Sequence, residues 1–246
     1  MGVRVFLAGA SGVVGLPLVK LLVGAGHQVT GMGRSPQSAK TMSALGADYV
    51  AVDVFDAEAL AQAIVAARPD VIIHQLTDLP TRLDPSLMGE AALRNARIRE
   101  EGTRNLVQGA LSAGVRRMIA QSIAWAYAEG KPPYTERDPL DVDAQRTKPI
   151  TMRGIIALET LVLSSPPLEG VVLRYGNFYG PDTGRDKPEG PSPLHVEAAA
   201  YAALCAVEHW QPGIFNIAEP RGEATSRKAM DALGWRADFR LAERTA

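Results

Sequence analysis

Cysteine occurs once in 246 residues, histidine four times, and acidic and basic residues nearly cancel, 27 against 26, for a formal net charge of -1. The one thiol, Cys205, cannot form an intrachain disulfide, and its apolar setting between Ala198 and Val207 marks a small core residue rather than a nucleophile. His27, His74, His195 and His209 are scattered, with no pair at helix or hairpin ligand spacing, so no metal site is expected. The balanced charge gives no electrostatic reason to expect a nucleic acid or a membrane surface as partner, and leaves small-molecule ligands open. No run of about 18 apolar residues occurs, which excludes a spanning helix. Met1 leads into Val3-Arg4-Val5-Phe6-Leu7 without the order of a secretion signal, so a cytoplasmic location is expected.

What is present reads as an ordinary globular chain. Hydrophobic residues make up 46% and charged residues 22%, and the length suits one domain, or one with a small appendage. Apolar strand-like runs alternate with helical patterns, the rhythm of an α/β fold whose parallel sheet is wound by crossover helices. Strands are expected at 3–8, 28–33, 48–52, 70–75, 116–121, 170–175 and 213–217. Helices are expected at 12–25, 36–45, 57–67, 87–113, 150–164 and 194–208, the second started by a Ser35 cap and Pro36. On the long fourth helix, Glu90 and Arg94, Arg97 and Glu101, and Glu100 and Arg104 stand four apart, a pattern that reads as a solvated face rather than an anion site. Residues 128–147 and 181–193 lack a regular pattern, and loops that long after a strand's carboxyl end are commonly functional.

The first strand runs into GASGVVG, where Gly9, Gly12 and Gly15 open a helix. Glycine suits this place because the backbone must turn sharply and approach a pyrophosphate closely, while the helix start presents free N–H groups and the positive end of its dipole. A glycine triplet alone is weak evidence, but on the first strand of a βαβ unit it has the context of a dinucleotide fingerprint. Gly9, Ser11, Gly12, Val13, Val14 and Gly15 are therefore candidate cofactor contacts, against the plainer reading of a tight turn. The second strand ends in Gly33, followed by Arg34 and Ser35, where a carboxylate would hold the ribose of NAD. A guanidinium and a hydroxyl suit a 2′-phosphate, so NADP(H) is expected ahead of NAD(H); the plainer reading of Arg34 is a surface residue.

Further segments follow in order: VDVFD, GTRNLVQGALSAGVRRMIAQS, YTERDPL, VVLRYGNFYGP, HVEAAAYAAL, GIFNIAEP and ALGWRADF. With the glycine loop they resemble the extended and atypical short-chain dehydrogenase/reductases, the NAD-dependent epimerase/dehydratase group, over nearly the whole chain. The resemblance implies a Rossmann-like, doubly wound dinucleotide-binding domain over 1–175 and a much reduced substrate-binding region over 176–246 integrated with it. It implies that Asp53 and Val54 lie beside the adenine and that Gln75, Leu76 and Thr77, in a stretch that closes at Asp78, pass under the nicotinamide ribose. Tyr175 would border the nicotinamide and Asn177 face the substrate. His195 reads better as a helix cap. A homodimer through the 87–113 and 150–164 helices is the arrangement the family implies.

Members of that family usually carry Tyr-x-x-x-Lys on the helix after the fifth strand. Residues four apart project from one helix face, so the lysine can stabilise the tyrosinate that exchanges a proton with substrate oxygen. A tyrosine left alone has a pKa of about 10, and holding its phenolate at neutral pH costs roughly 4 kcal/mol. Matching the family's glutamate to Glu159 places Ile155 at the lysine and Thr151 at the tyrosine, and no tyrosine occurs between Tyr134 and Tyr175 in any register. Arg99 stands where the resemblance would place an asparagine. Ser122 matches the family serine and, with Tyr127 or Tyr134 as a displaced acid, forms the remaining catalytic candidate, although no cation is evident beside either tyrosine. Ser122 reads equally as a strand-end hydroxyl bonded to backbone. Trp125 is a candidate wall of the substrate pocket.

Only Asp182 to Leu194 separate the YGP and HV motifs, where sugar-nucleotide relatives insert a long substrate-binding region. A small substrate fits better. The expectation is an NADP(H)-dependent oxidoreductase acting on a small carbonyl or alcohol; the alternatives are a catalytically silent dinucleotide sensor or partner-binding protein and, less favoured, a sugar-nucleotide epimerase or dehydratase.

Overall fold

The computed structural model describes residues 2–80, 84–145 and 148–242. Its main sheet contains β1 (Arg4–Ala8), β2 (Gln28–Gly33), β3 (Asp48–Ala51), β4 (Val71–His74), β5 (Arg117–Ile123) and β6 (Glu169–Tyr175). A short separate pair, β7 (Asn177–Tyr179) and β8 (Pro193–His195), precedes the seventh strand of the main sheet, β9 (Gly213–Ile217). All seven main strands are parallel, in the order β3-β2-β1-β4-β5-β6-β9. This is a Rossmann-like α/β fold.

Strand alternation sorts the side chains between two layers. Val5 and Leu7 pack with α1 (Gly15–Gly24), α2 (Ser38–Ala44), α7 (Val196–Glu208) and α8 (Arg227–Leu233), while Phe6 and Ala8 pack with α3 (Ala57–Ala67), α5 (Thr103–Ser112) and α6 (Pro149–Leu163). α4 (Met88–Arg97) lies along α6 and reaches α5 through a π-helical turn, Ile98–Gly102. The chain after residue 175 continues the same body, because β9 pairs with β6 and α7 packs on α1. Among the described residues, no helix is long and apolar enough to cross a membrane.

Local chemistry explains the element ends. Asp56 accepts the Ala59 N–H at 3.0 Å and starts α3, and Pro149 occupies the first turn of α6, where its missing N–H costs nothing. The Ser35 cap is not formed: its hydroxyl donates to Gln37 Oε1 at 2.6 Å, its carbonyl closes a turn with the Ser38 N–H, and α2 begins only at Ser38. Glu90–Arg94 and Arg97–Glu101 pair at 3.5 and 2.7 Å, but Glu100 turns from Arg104 to Arg153 of α6, at 2.7 Å. β7, β8 and α8 are absent from the sequence expectation because three to seven residues are too few to display a period.

Of the loop expected at 128–147, residues Arg146 and Thr147 lie outside the described part. The rest is tied down at both sides: Ala128 N–H donates to the Pro139 carbonyl, Asp141 N–H to that of Ala126 and Tyr134 N–H to that of Glu223. His195 caps α7 by accepting the Glu197 N–H. Cys205 is buried in the same helix, and burial pushes its thiol up to about 11.

Candidate functional site

Strand order reverses beside β1, and the crevice outside the carboxyl ends of β1, β2 and β4 is where such sheets hold ligands. Here it is a cavity of about 400 Å³. Gly9 has φ +90°, and a Cβ on it would lie 2.8 Å from the Gln75 backbone; a Cβ on Gly15 would lie 2.1 Å from the Gly9 carbonyl oxygen. Both positions demand glycine, which keeps the loop flat against the cavity. Gly9, Ser11 and Gly12 border it from this loop, Arg34 from the end of β2, Asp53 and Val54 from the β3 end, and Gln75, Leu76 and Thr77 from the β4 end. Other residues named from the sequence lie around it rather than on it. Val13 and Ser35 are exposed, Val14 and Gly15 are buried beneath the loop, and Tyr175 is buried behind Gln75.

The β4 end is held by its own hydrogen bonds. His74 accepts the Leu76 N–H on Nδ1 at 3.2 Å, which leaves the proton on Nε2 to donate to Thr103 Oγ1 at 3.1 Å. Burial, with a lesser contribution from the Arg99 charge, lowers the His74 pKa to about 3, so the ring is neutral. Gln75 donates to the Tyr175 hydroxyl at 3.3 Å, while its Oε1 is buried without a partner among the described residues. An orphaned acceptor beside a glycine cradle fits a ligand bearing hydroxyls and phosphates, as a dinucleotide does.

Phe55, Arg94 and Arg97 also border the cavity, and the sequence expectation did not place them there; Asp78, which closes the stretch expected under the nicotinamide ribose, borders it too. Arg34 and Arg94 approach Asp78 at 3.7 and 3.4 Å, and the Arg97 guanidinium lies 3.8 Å over the Phe55 ring. The arginines that read as a solvated helix face therefore rim the crevice, because α4 crosses the end of β4. Their spacing of three on one helix was the available signal.

The catalytic candidates occupy a different place. Ser122, Arg174 and Asn216 stand in register across β5, β6 and β9 and form one buried polar row. Glu159 of α6 accepts from Arg174 through Nε at 2.9 Å and Nη2 at 2.7 Å, and from the Ser122 hydroxyl at 2.7 Å. The Tyr127 hydroxyl donates to Asn216 Oδ1 at 2.6 Å and accepts from Arg174 Nη1 at 3.0 Å. Sequence showed no cation beside Tyr127; the structure supplies Arg174. Burial nevertheless outweighs that charge and raises the Tyr127 pKa. Ser122 is fully buried and Tyr127 is 2% exposed, so both hydroxyls are committed within the fold. Trp125 is 37% exposed, and Asn177 is half-buried with Oδ1 accepting the Ser192 N–H at 3.2 Å. Tyr134 stacks on Tyr127, with ring centroids 5.2 Å apart.

On α6, Ile155 is fully buried and packs with Ile123, Ala126 and Met152. Arg99, in the π-helical turn, is half-buried with its stem across α6: a Cβ on Gly154 would meet its Cβ and Cδ at 3.4 Å. Among the described residues no carboxylate pairs with it, since Glu100 holds Arg153 and Glu101 holds Arg97. Crowding by protein atoms pushes its pKa down to about 10.

Residues 9–156 match the family model described as NAD(P)H-binding. A Streptomyces protein named 3-diazoavenalumate denitrifying reductase is 44% identical over 239 residues, covering 88% of this chain and 76% of its own. Among solved structures, a Thermus thermophilus UDP-glucose 4-epimerase in complex with NAD superposes with a TM-score of 0.75 at 20% identity, covering 97% of this chain and 95% of that one. The Bordetella bronchiseptica enzyme WbmG in complex with NAD gives 0.73 at 17% identity, covering 98% and 91%. These last two speak for the fold. With its seven-stranded parallel sheet and glycine-lined crevice, the chain belongs to the NAD(P)H-binding family, with an oxidoreductase-like, epimerase/dehydratase type of Rossmann fold.

Proposed function

We propose that this protein is an NADPH-dependent reductase that passes hydride to a small electrophile needing no tyrosine acid. The observation that carries the reading is the pairing of the glycine-lined crevice with an α6 on which the lysine place is filled by the buried Ile155. When bound, the nicotinamide supplies hydride. The chain's residues bind and orient: the Gly9–Gly15 loop takes the pyrophosphate, Arg34 the 2′-phosphate, Phe55 and Val54 the adenine, and Gln75 Oε1 a ribose hydroxyl. Ile123, Met152 and Ile155 exclude water from the reacting side. Ser122 and Tyr127 act as positioning residues that hold the ends of β5 and β6 through Glu159 and Arg174.

A diazo arene suits such a site, and the 44% identical relative is named a 3-diazoavenalumate denitrifying reductase. In its diazonium form, hydride bonds to the outer nitrogen and the carbon–nitrogen pair stays with the ring carbon. The N–H proton then moves to that carbon as its pair completes dinitrogen, so no substrate oxygen has to receive a proton from the protein. The small carbonyl or alcohol expected from sequence would require that proton, and among the described residues the one acid on α6, Glu159, is held by Arg174. The partly exposed Leu93 of α4 and Ile156 of α6 further support a homodimer through those helices.

The test is NADPH oxidation with 3-diazoavenalumate and with a panel of small aldehydes and ketones. One dinitrogen released per NADPH is expected. Turnover of carbonyls alone would overturn the substrate assignment, and failure to bind NADPH would overturn the whole reading.

A further inference from the structure

We propose that Arg99 holds an anionic oxygen of the substrate, at the part of α6 that the family's tyrosine and lysine would occupy. The ligand's being the substrate rests on the reductase reading above. The π-helical turn Ile98–Gly102 interrupts the α4–α5 helix at this residue, and such a turn re-aims the side chains it carries. The Arg99 stem then lies against α6 at Gly154, where an added Cβ would touch its Cβ and Cδ at 3.4 Å. The surrounding carboxylates are taken: Glu100 by Arg153, Glu101 by Arg97 and Glu159 by Arg174.

A half-buried guanidinium with no carboxylate partner among the described residues is costly to maintain, and an anion at that point offsets the cost. The neighbouring α6 surface is apolar, with Met152 and Ile155 buried, so charge–charge attraction there is weakly screened. Arg99 also sits close enough to His74, which ends β4 beneath the crevice, for its charge to contribute to lowering that ring's pKa. Planar guanidinium geometry favours a carboxylate or a phenolate-type oxygen. The oxyanion is either a carboxylate already on the substrate or a phenolate oxygen whose charge is no longer offset once hydride neutralises the diazonium group.

Calorimetric titration of the NADP+ complex with cinnamate and methyl cinnamate, in wild type, Arg99→Lys and Arg99→Gln, separates the two sources, alongside steady-state kinetics. A substrate carboxylate predicts that cinnamate binds wild type at least tenfold tighter than its ester, that Arg99→Gln erases the difference and that Arg99→Lys retains part of it. A phenolate whose charge is no longer offset in the reaction predicts no ester discrimination, but a kcat at least a hundredfold lower in Arg99→Gln at unchanged KM, partly rescued by lysine. Cinnamate affinity and kcat both within twofold of wild type, in an Arg99→Gln protein with normal NADP+ affinity and unfolding midpoint, overturn the proposal. Should Arg99→Gln fail to fold, Arg99→Lys decides: a tenfold loss in either readout supports the site, and wild-type values in both overturn it. Arg99-dependent cinnamate binding without any NADPH turnover overturns the reductase reading and leaves this site standing. Turnover indifferent to Arg99 does the reverse.

Discussion

Arg174 grips Glu159 through two hydrogen bonds, 2.9 Å from Nε and 2.7 Å from Nη2, with 4% and 7% of the respective side chains exposed. The pair joins α6 to β6, beside the edge strand β9, and the Ser122 and Tyr127 hydroxyls complete it. A buried pair contributes little relative to a well-packed apolar substitute, but removal of one partner strands a charge. Glu159→Gln or Arg174→Gln is therefore expected to cost about 3 kcal/mol or more of unfolding free energy, measured by urea titration.

Ser122→Ala removes one hydrogen bond to a carboxylate and is expected to cost about 1–2 kcal/mol of stability. Tyr127→Phe removes two hydroxyl contacts and falls in the same range. Because both groups are positioning residues, turnover at saturating substrate should stay within about threefold of wild type, on the general scale of a neutral surface change. A hundredfold fall in kcat with intact stability would make either hydroxyl a catalytic residue.

Arg34→Ala is expected to weaken NADPH binding about tenfold or more and to leave NADH binding within about twofold, since only the former carries the 2′-phosphate. Fluorescence titration with both nucleotides distinguishes this from a general effect on the crevice, which would weaken both alike.

His74 is held neutral, its pKa lowered from 6.5 to about 3, chiefly by burial. The unfolded chain therefore takes up this proton first. The contribution is intact above the unfolded pKa and is lost as pH falls from about 6.5 towards 3, with a slope of at most about 1.4 kcal/mol per pH unit. Urea unfolding of wild type and His74→Gln at pH 7, 6 and 5 should show the variant losing less stability over that interval. Parallel losses in the two proteins would place the titrating group elsewhere.

Leu93 is 60% exposed on α4 and Ile156 is 36% exposed on α6. Leu93→Glu is expected to shift the protein from dimer to monomer in light scattering after size exclusion, with the monomer still unfolding cooperatively and its midpoint no longer dependent on protein concentration. A wild-type chain that is already monomeric would remove the helix-face dimer.

The elements that were legible beforehand are those whose information is local. The apolar runs of β1 and β4 and the glycine spacing of the loop all lie within a dozen residues, where backbone sterics and side-chain period act directly. The missing tyrosine–lysine pair was visible for the same reason, since residues four apart share a helix face in any fold. Sequence could not place Ser122, Arg174 and Asn216 in one row. Their register follows from how three strands separated by helical crossovers align, and a one-residue slip would turn each side chain to the other layer. Nor could it show that Glu159 spends its charge on Arg174 or that Glu100 leaves Arg104 for Arg153 across 53 residues, leaving Arg99 beside Gly154 with no carboxylate partner among the described residues. Sequence by itself determined the strand–helix rhythm, the phosphate loop and the loss of the usual acid pair. Tertiary structure decided which charges are satisfied and which remain for a ligand, because that depends on distances across the sheet that no spacing along the chain records.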